Sequence, residues 1–223
     1  MINSNIAIWG GKLWNSFVPY IRNILDGNLA YKSDAVMLEI GAREGALCNL
    51  FKDQFEIICS DISYTQDVCN KSEPRFTYAN LNCMDINLDG ASVDIVISKS
   101  VLGGLKCKDN SIIAFNEVYR ILKPGGLFIL AENTKGSFIH RFLRRIKNKG
   151  RLDYWHYFSD DDLNDISVKF NLISKQYHGV ISGTNSFNCF LDLFFYYLDK
   201  YFLEFFFRAD KRIVVFVCLQ KAN

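Results

Sequence analysis

Between Ala35 and Phe51 the chain reads AVMLEIGAREGALCNLF, and no other stretch limits its fold so strongly. Val36, Met37, Leu38 and Ile40 make an apolar run of strand length, interrupted by Glu39. Gly41 and Gly45 follow, and Ala46 to Phe51 returns to helical character. A buried strand that breaks at glycine and opens a helix is how open α/β sheets build a ligand site. Glycine permits the tight turn and lets a ligand approach without meeting a Cβ, and the helix start offers unpaired N–H donors. The stretch reads as a loop for a nucleoside-bearing cofactor.

The rest of the chain repeats the alternation. FEIICS (Phe55 to Ser60) predicts a second strand ending at Asp61, residues 64–72 a helix, and Phe76 to Ala79 a third strand followed by LNCMDINL with Asp85. VDIVIS (Val93 to Ser98) is a fourth strand, Ser111 to Leu122 a helix, and LKPGGLFILAEN a turn and a fifth strand, with Pro124, Gly125 and Gly126 stopping the helix. Five strand–helix alternations predict a mostly parallel sheet with right-handed crossovers. Ser137 is placed to cap a helix from Phe138 to about Lys147, and Ser159 to cap another behind Asp160, Asp161 and Asp162. Phe170 to Tyr177 and Ile213 to Leu219 read as two last strands. Residues 6–25, where Pro19 limits any long helix, read as a leading helical segment that packs on the sheet or caps the pocket.

Composition narrows the classes. The 223 residues suit one α/β domain, here 1–223, with a helical cap at 1–33 and acceptor-side insertions at 134–160 and 180–210. A formal net charge of +2 gives no general polyanion-binding signal. Seven scattered cysteines without a CxxC pair argue against a metal knuckle or disulfide framework and for a reducing compartment, so the cytoplasm is expected and no metal site. MINSNIAIWGGKLW lacks the pattern of a signal peptide.

Glu39 and Asp61 lie 22 residues apart, near the roughly 20 expected between a first glycine turn and the acid that binds a ribose. With Glu39-x-Gly41-x-x-x-Gly45, Asp61, Asp85 and LKPGG in this order, the chain resembles class I S-adenosylmethionine-dependent methyltransferases over residues 34–133. Arg43 departs from the pattern, since many members carry glycine there, and it also counts against a nicotinamide-binding GxGxxG. The resemblance implies a Rossmann-like, doubly wound, seven-stranded sheet, mostly parallel with an antiparallel C-terminal strand. It implies S-adenosylmethionine as cofactor, contacted by Glu39, Gly41, Ala42, Arg43, Gly45, Asp61, Ile62, Met84, Asp85, Ser98 and Lys99. Plain alternatives stand beside two of these: a helix cap for Asp61 and a solvated turn for Asp85.

EIGAREGAL, KSVLGGL, AENTKGSFIHRFLRR and WHYFS further resemble bacterial methyltransferases of surface-polysaccharide gene clusters. That narrower likeness implies a sugar acceptor, free or linked to a lipid or nucleotide. An alcohol acceptor needs its proton removed, and a positioned base typically adds roughly 10²–10⁴-fold. Of three histidines, His140 is the expected base, with Glu132 orienting it or the substrate, His156 next, and a role for His140 in capping or packing its helix as the plain alternative. Arg141, Arg144, Arg145, Lys147, Lys149 and Arg151 suit either a solvated face or an anionic substrate. In the aromatic stretch 187–207, charges interrupt any membrane span. Helical spacing instead gathers Phe187, Leu191, Phe194, Leu198, Phe202 and Phe205 on one face and the charges on the other. That face is expected to pack on its own domain or a second copy, to lid the acceptor, or to touch the inner face of a membrane. SKSV stands where amino-methylating nucleic-acid enzymes carry a proline block, so nucleic acid is not expected as partner. The remaining rivals are a methyltransferase acting on another small molecule or on RNA, and a methyltransferase-like binding fold without catalysis.

Overall fold

The computed structural model of the chain describes residues 11–27, 34–43, 47–71, 73–147, 155–182 and 189–222. Seven strands form one sheet: β1 (Val36–Ile40), β2 (Glu56–Ser60), β3 (Phe76–Ala79), β4 (Val93–Lys99), β5 (Leu122–Asn133), β6 (Phe170–His178) and β7 (Val214–Lys221). Their order is β3-β2-β1-β4-β5-β7-β6. The first five run parallel, and β7 lies antiparallel between β5 and β6. The expected doubly wound sheet is therefore present, with its order reversing between β1 and β4, where open α/β sheets leave a crevice for ligands.

Successive strand residues face opposite sides, so each strand feeds two cores. Met37, Ile57, Ile95, Ile129 and Phe216 pack on one face against Phe17 and Ile21. Leu38, Val96, Phe128 and Val215 pack on the other against Phe115 and Leu163. Two N-terminal helices, α1 (Gly11–Asn15) and α2 (Phe17–Gly27), cover the first face, and Pro19 sits in the first turn of α2, where its missing N–H costs no helix bond. The ring of Phe216 lies 5.0 Å from Phe17 and 5.5 Å from Tyr20.

Three local expectations are corrected. The helix read at 64–72 is the single turn α3 (Gln66–Cys69). The segment behind the glycine loop is a 3₁₀ turn at Cys48–Leu50, whose first N–H is taken by Glu39 at 2.7 Å. LKPGG is no turn between elements: α4 (Lys108–Ile121) passes directly into β5 at Leu122. The register against β4 shifts between Val93 and Ile95, and Gly125 takes a φ of +76°. Asp94 pins this irregularity, accepting the Val36 N–H at 2.9 Å and pairing with Lys123 at 2.7 Å. The expected helices α5 (Phe138–Lys147) and α6 (Asp160–Ile166) are present, α6 with a capping box between Ser159 and Asp162.

Candidate cofactor site

At the C-terminal ends of β1, β2 and β4 lies a cavity of about 520 Å³. Its floor is the first glycine turn. Gly41 has a φ of +71°, and a Cβ there would stand 2.3 Å from the Val101 Cγ2, so only glycine fits this packing of loop on loop. The turn is tied to β2 by the Ala42 N–H on the Ser60 carbonyl at 2.8 Å and by the Arg43 N–H on Asp61 Oδ2 at 3.2 Å. Arg43 itself adopts a φ of +47°, the conformation that glycine would have eased. The hydroxyl of Tyr64 donates to the Arg43 carbonyl, closing the turn from the far side.

Asp61 lines the cavity and does two jobs at once. Its Oδ1 accepts the Ser63 N–H and hydroxyl at 2.9 and 2.6 Å, the local turn that the plain alternative required. Its Oδ2 takes only the Arg43 N–H among the bonds described, which leaves capacity for a further donor from the cavity. Glu39, Lys99 and Ser100 also line the space. Burial pushes the Glu39 carboxyl up to about 7, against the lowering effects of Cys48 and of Lys99. Burial likewise holds Lys99 below the ordinary lysine range, opposed by Glu39. The Lys99 ammonium lies 5.5 Å from the centre of the Trp14 ring, so α1 reaches this side of the site. The opposite wall is apolar, made by Leu81, Met84, Val101, Leu105 and Trp155.

Of the residues expected at the cofactor, Glu39, Gly41, Ala42, Arg43, Asp61, Ile62, Met84 and Lys99 meet in this cavity. Gly45 lies outside the described residues. Asp85 is corrected: it is exposed and turned away, and Asn82 lines the cavity instead, its Oδ1 accepting the Met84 N–H at 3.0 Å. An Asn that caps its own turn is a sequence signal that the acid beside it concealed. Ser98 is also corrected, being fully buried in the sheet with no partner for its hydroxyl among the described residues and no place in the lining.

The expected catalytic pair does not form at the cavity. Glu132 is fully buried, and its Oε1 accepts the N–H groups of Val101 and Leu102 at 2.9 and 2.8 Å, with Gly103 at 3.4 Å from Oε2. Burial pushes it up to about 7 despite these bonds. It fixes the 101–103 loop and does not line the cavity. His140 is buried one turn into α5, its N–H on Ser137 Oγ at 3.1 Å, and does not line the cavity either. His156 stacks edge-on against Phe158 and stands 3.6 Å from Asp162. Trp155, beside it, is the residue that reading by charge and histidine missed. Gly103 makes room for it, since a Cβ there would stand 2.2 Å from the indole Nε1. No cluster that could hold a metal occurs among the described residues.

The family model of a methyltransferase domain matches residues 38–130, the span from β1 to the middle of β5. A search of curated proteins returns no match. Among solved structures, a SAM-dependent methyltransferase from Methanosarcina mazei superposes with a TM-score of 0.62 at 16% identity, over 92% of this chain and 97% of that one. The phosphoethanolamine N-methyltransferase 2 of Haemonchus contortus, in complex with phosphomonomethylethanolamine and S-adenosylhomocysteine, gives 0.65 at 17%, over 100% of this chain and 56% of that one. The [4+2]-cyclase SpnF gives 0.62 at 14%, over 96% and 84%. At these identities the likeness establishes the fold. The cavity suits the donor on its own terms: its volume is that of a small-molecule site, one end carries carboxylates and a lysine, and the other is an apolar slot. Residues 38–130 therefore match a methyltransferase domain, set in a fold shared with S-adenosylmethionine-dependent methyltransferases.

Proposed function

We propose that this enzyme methylates a hydroxyl of a sugar, free or carried on a nucleotide or lipid, in the cytoplasm. In this reading Asp61 accepts from the ribose, and the turn at Gly41 to Arg43 with Glu39 receives the amino-acid end of the donor. The slot between Leu81 and Met84 takes the adenine. When bound, the cofactor supplies an electrophilic methyl on a positively charged sulfur. What the chain adds is alignment of the acceptor oxygen with that methyl, the effect from which a methyl transfer can draw most of its rate.

The observation that supports a sugar best is Trp155. It offers a flat apolar wall beside Gly104, and its indole N–H is buried without a partner among the described residues. With Ser100 and Lys99 on the same cavity, the site combines an apolar face with polar groups, as a pyranose does. A small amine is the second reading, favoured by one fact: among the described lining residues there is no histidine, and a neutral amine attacks through its own lone pair. Incubation with labelled donor and a panel of nucleotide sugars, extracted glycan lipids and small amines, followed by mass spectrometry, separates them. Methyl on a glycan oxygen is expected; methyl on amines alone would replace the sugar reading with the second.

A further inference from the structure

The aromatic segment folds with its polarity reversed from the expected arrangement. It comprises α7 (Cys189–Leu198), a π turn at Asp199–Leu203 and the short α8 (Glu204–Phe206). Three acids of this region are turned in or paired. Asp199 is 1% exposed and accepts the N–H groups of Val180, Ile181 and Ser182. Glu204 accepts the Gly179 N–H at 2.7 Å and lies 3.7 Å from Arg212. Asp210 sits between Arg208 at 3.3 Å and Lys211 at 2.8 Å. The aromatics point outward: Phe194, Tyr201, Phe202, Phe205 and Phe206 are 53–88% exposed. They form one surface with Tyr197, which stacks on Tyr201 at 5.9 Å, while Phe206 meets Phe202 at 5.0 Å and Phe205 at 5.4 Å. Lys200, Arg208 and Lys211 are exposed around it.

A second surface repeats the combination. On α5, Phe138 and Phe142 are 69% and 63% exposed, and Arg141 and Arg145 are exposed beside them. α5 follows the end of β5, and α7 follows the end of β6. These two strands are parallel, each being antiparallel to β7, so both surfaces leave the sheet at the edge that bears the cofactor cavity. α1 connects the aromatic surface to the cavity, with Lys12 over Tyr197 and Trp14 under Lys99.

We propose that this edge of the enzyme docks on the surface of an anionic bilayer, through the aromatic face of 194–206 with α5 as a second contact. Exposed aromatics ringed by lysine and arginine, with Asp199 and Glu204 engaged by backbone N–H groups, are the composition of an interfacial surface. Among the described residues, the exposed cations of the two surfaces outnumber the one acid paired with them, Asp210, which favours a negatively charged sheet of lipid over a second copy presenting the same excess of positive charge. No helix among the described residues is long and apolar enough to cross a membrane, so the contact lies on the bilayer. Docking in this orientation turns the cavity edge toward the lipid surface, which would serve an acceptor anchored there.

The test is flotation of the full chain with vesicles of phosphatidylcholine alone and of phosphatidylcholine with phosphatidylglycerol. No acceptor is present, so the outcome does not depend on the sugar reading. Binding is expected to the mixed vesicles, to weaken with salt, and to fall at least about tenfold in Phe202→Ser/Phe205→Ser and in Lys200→Glu/Arg208→Glu. These side chains are exposed, and circular dichroism with donor titration checks that each variant is folded. No binding by the wild type, or binding that neither pair of substitutions reduces, overturns the proposal. A dimer in sedimentation velocity that Phe202→Ser/Phe205→Ser dissolves, with no vesicle binding, assigns the face to a second copy instead.

Discussion

Replacing Glu132 distinguishes a group that does chemistry from one that holds a loop. Both short bonds, at 2.9 and 2.8 Å, fall on one carboxylate oxygen, and the third, at 3.4 Å, falls on the other. Glu132→Gln keeps an acceptor for the two short bonds and loses the weak third. Glu132→Ala strands two N–H groups at about 1–3 kcal/mol each, so a loss of about 2–6 kcal/mol is expected in urea unfolding. The pH dependence sharpens the contrast. The folded carboxyl titrates at about 7 against an ordinary 4.5, so its contribution to stability is full below pH 4.5 and is lost as pH rises through 7. At about 1.4 kcal/mol per pH unit, wild type loses about 3 kcal/mol across that window that Glu132→Gln does not lose. Glu39 behaves alike but is common to both proteins, so the difference between their curves isolates Glu132. Turnover of Glu132→Gln is expected within about fivefold of wild type, whereas loss of a catalytic base typically removes roughly 10²–10⁴. A Gln variant as stable as wild type but inactive would refute the positioning role.

Three further outcomes follow from the site. Gly41→Ala puts a Cβ 2.3 Å from Val101 in a left-handed turn, so donor affinity by calorimetry should fall; the conformational cost alone is about 1–2 kcal/mol, which is around tenfold. Asp61→Asn removes a charged acceptor worth about 1.5–3 kcal/mol, so donor affinity should drop at least about tenfold. Its melting temperature should move little, because the Arg43 and Ser63 bonds can still be met by the amide oxygen in part. His178 is held at about 4 by burial and by Arg212 and Lys200, below its ordinary 6.5. The stability this lends is present above pH 6.5 and is lost as pH falls through 4. His178→Leu should therefore escape an acid-side loss of about 3 kcal/mol, read as the difference between two pH–stability curves.

The strands were legible because β1, β2 and β4 are short, largely apolar runs bounded by glycine or polar residues, and a parallel sheet buried on both faces needs that pattern. Glu39 and Asp61 were found by spacing, since the length of one strand, turn and crossover fixes where the next strand ends. Asp85 was misread for a reason of the same kind: two residues separate it from Asn82, and a tight turn points them in different directions. Glu132 looked chemical because an acid at a strand tip near a ligand usually is, and its three backbone donors come from a loop thirty residues away in sequence. The aromatic segment shows the limit most plainly. Helical periodicity finds two faces but not which one turns inward, and here the inward side is chosen by Asp199 receiving the N–H groups at 180–182. The π turn then alters the phase that regular spacing assumed.

The central claim is that the crevice between β1 and β4 holds the methyl donor by the Gly41 turn and Asp61. Calorimetric titration of the purified chain with S-adenosylhomocysteine tests it most directly, with Asp61→Asn and Gly41→Ala alongside. One site per chain, weakened in both variants, is the predicted result. A folded wild type that gives no binding heat at any temperature tried, or variants that bind as tightly as wild type, would contradict it.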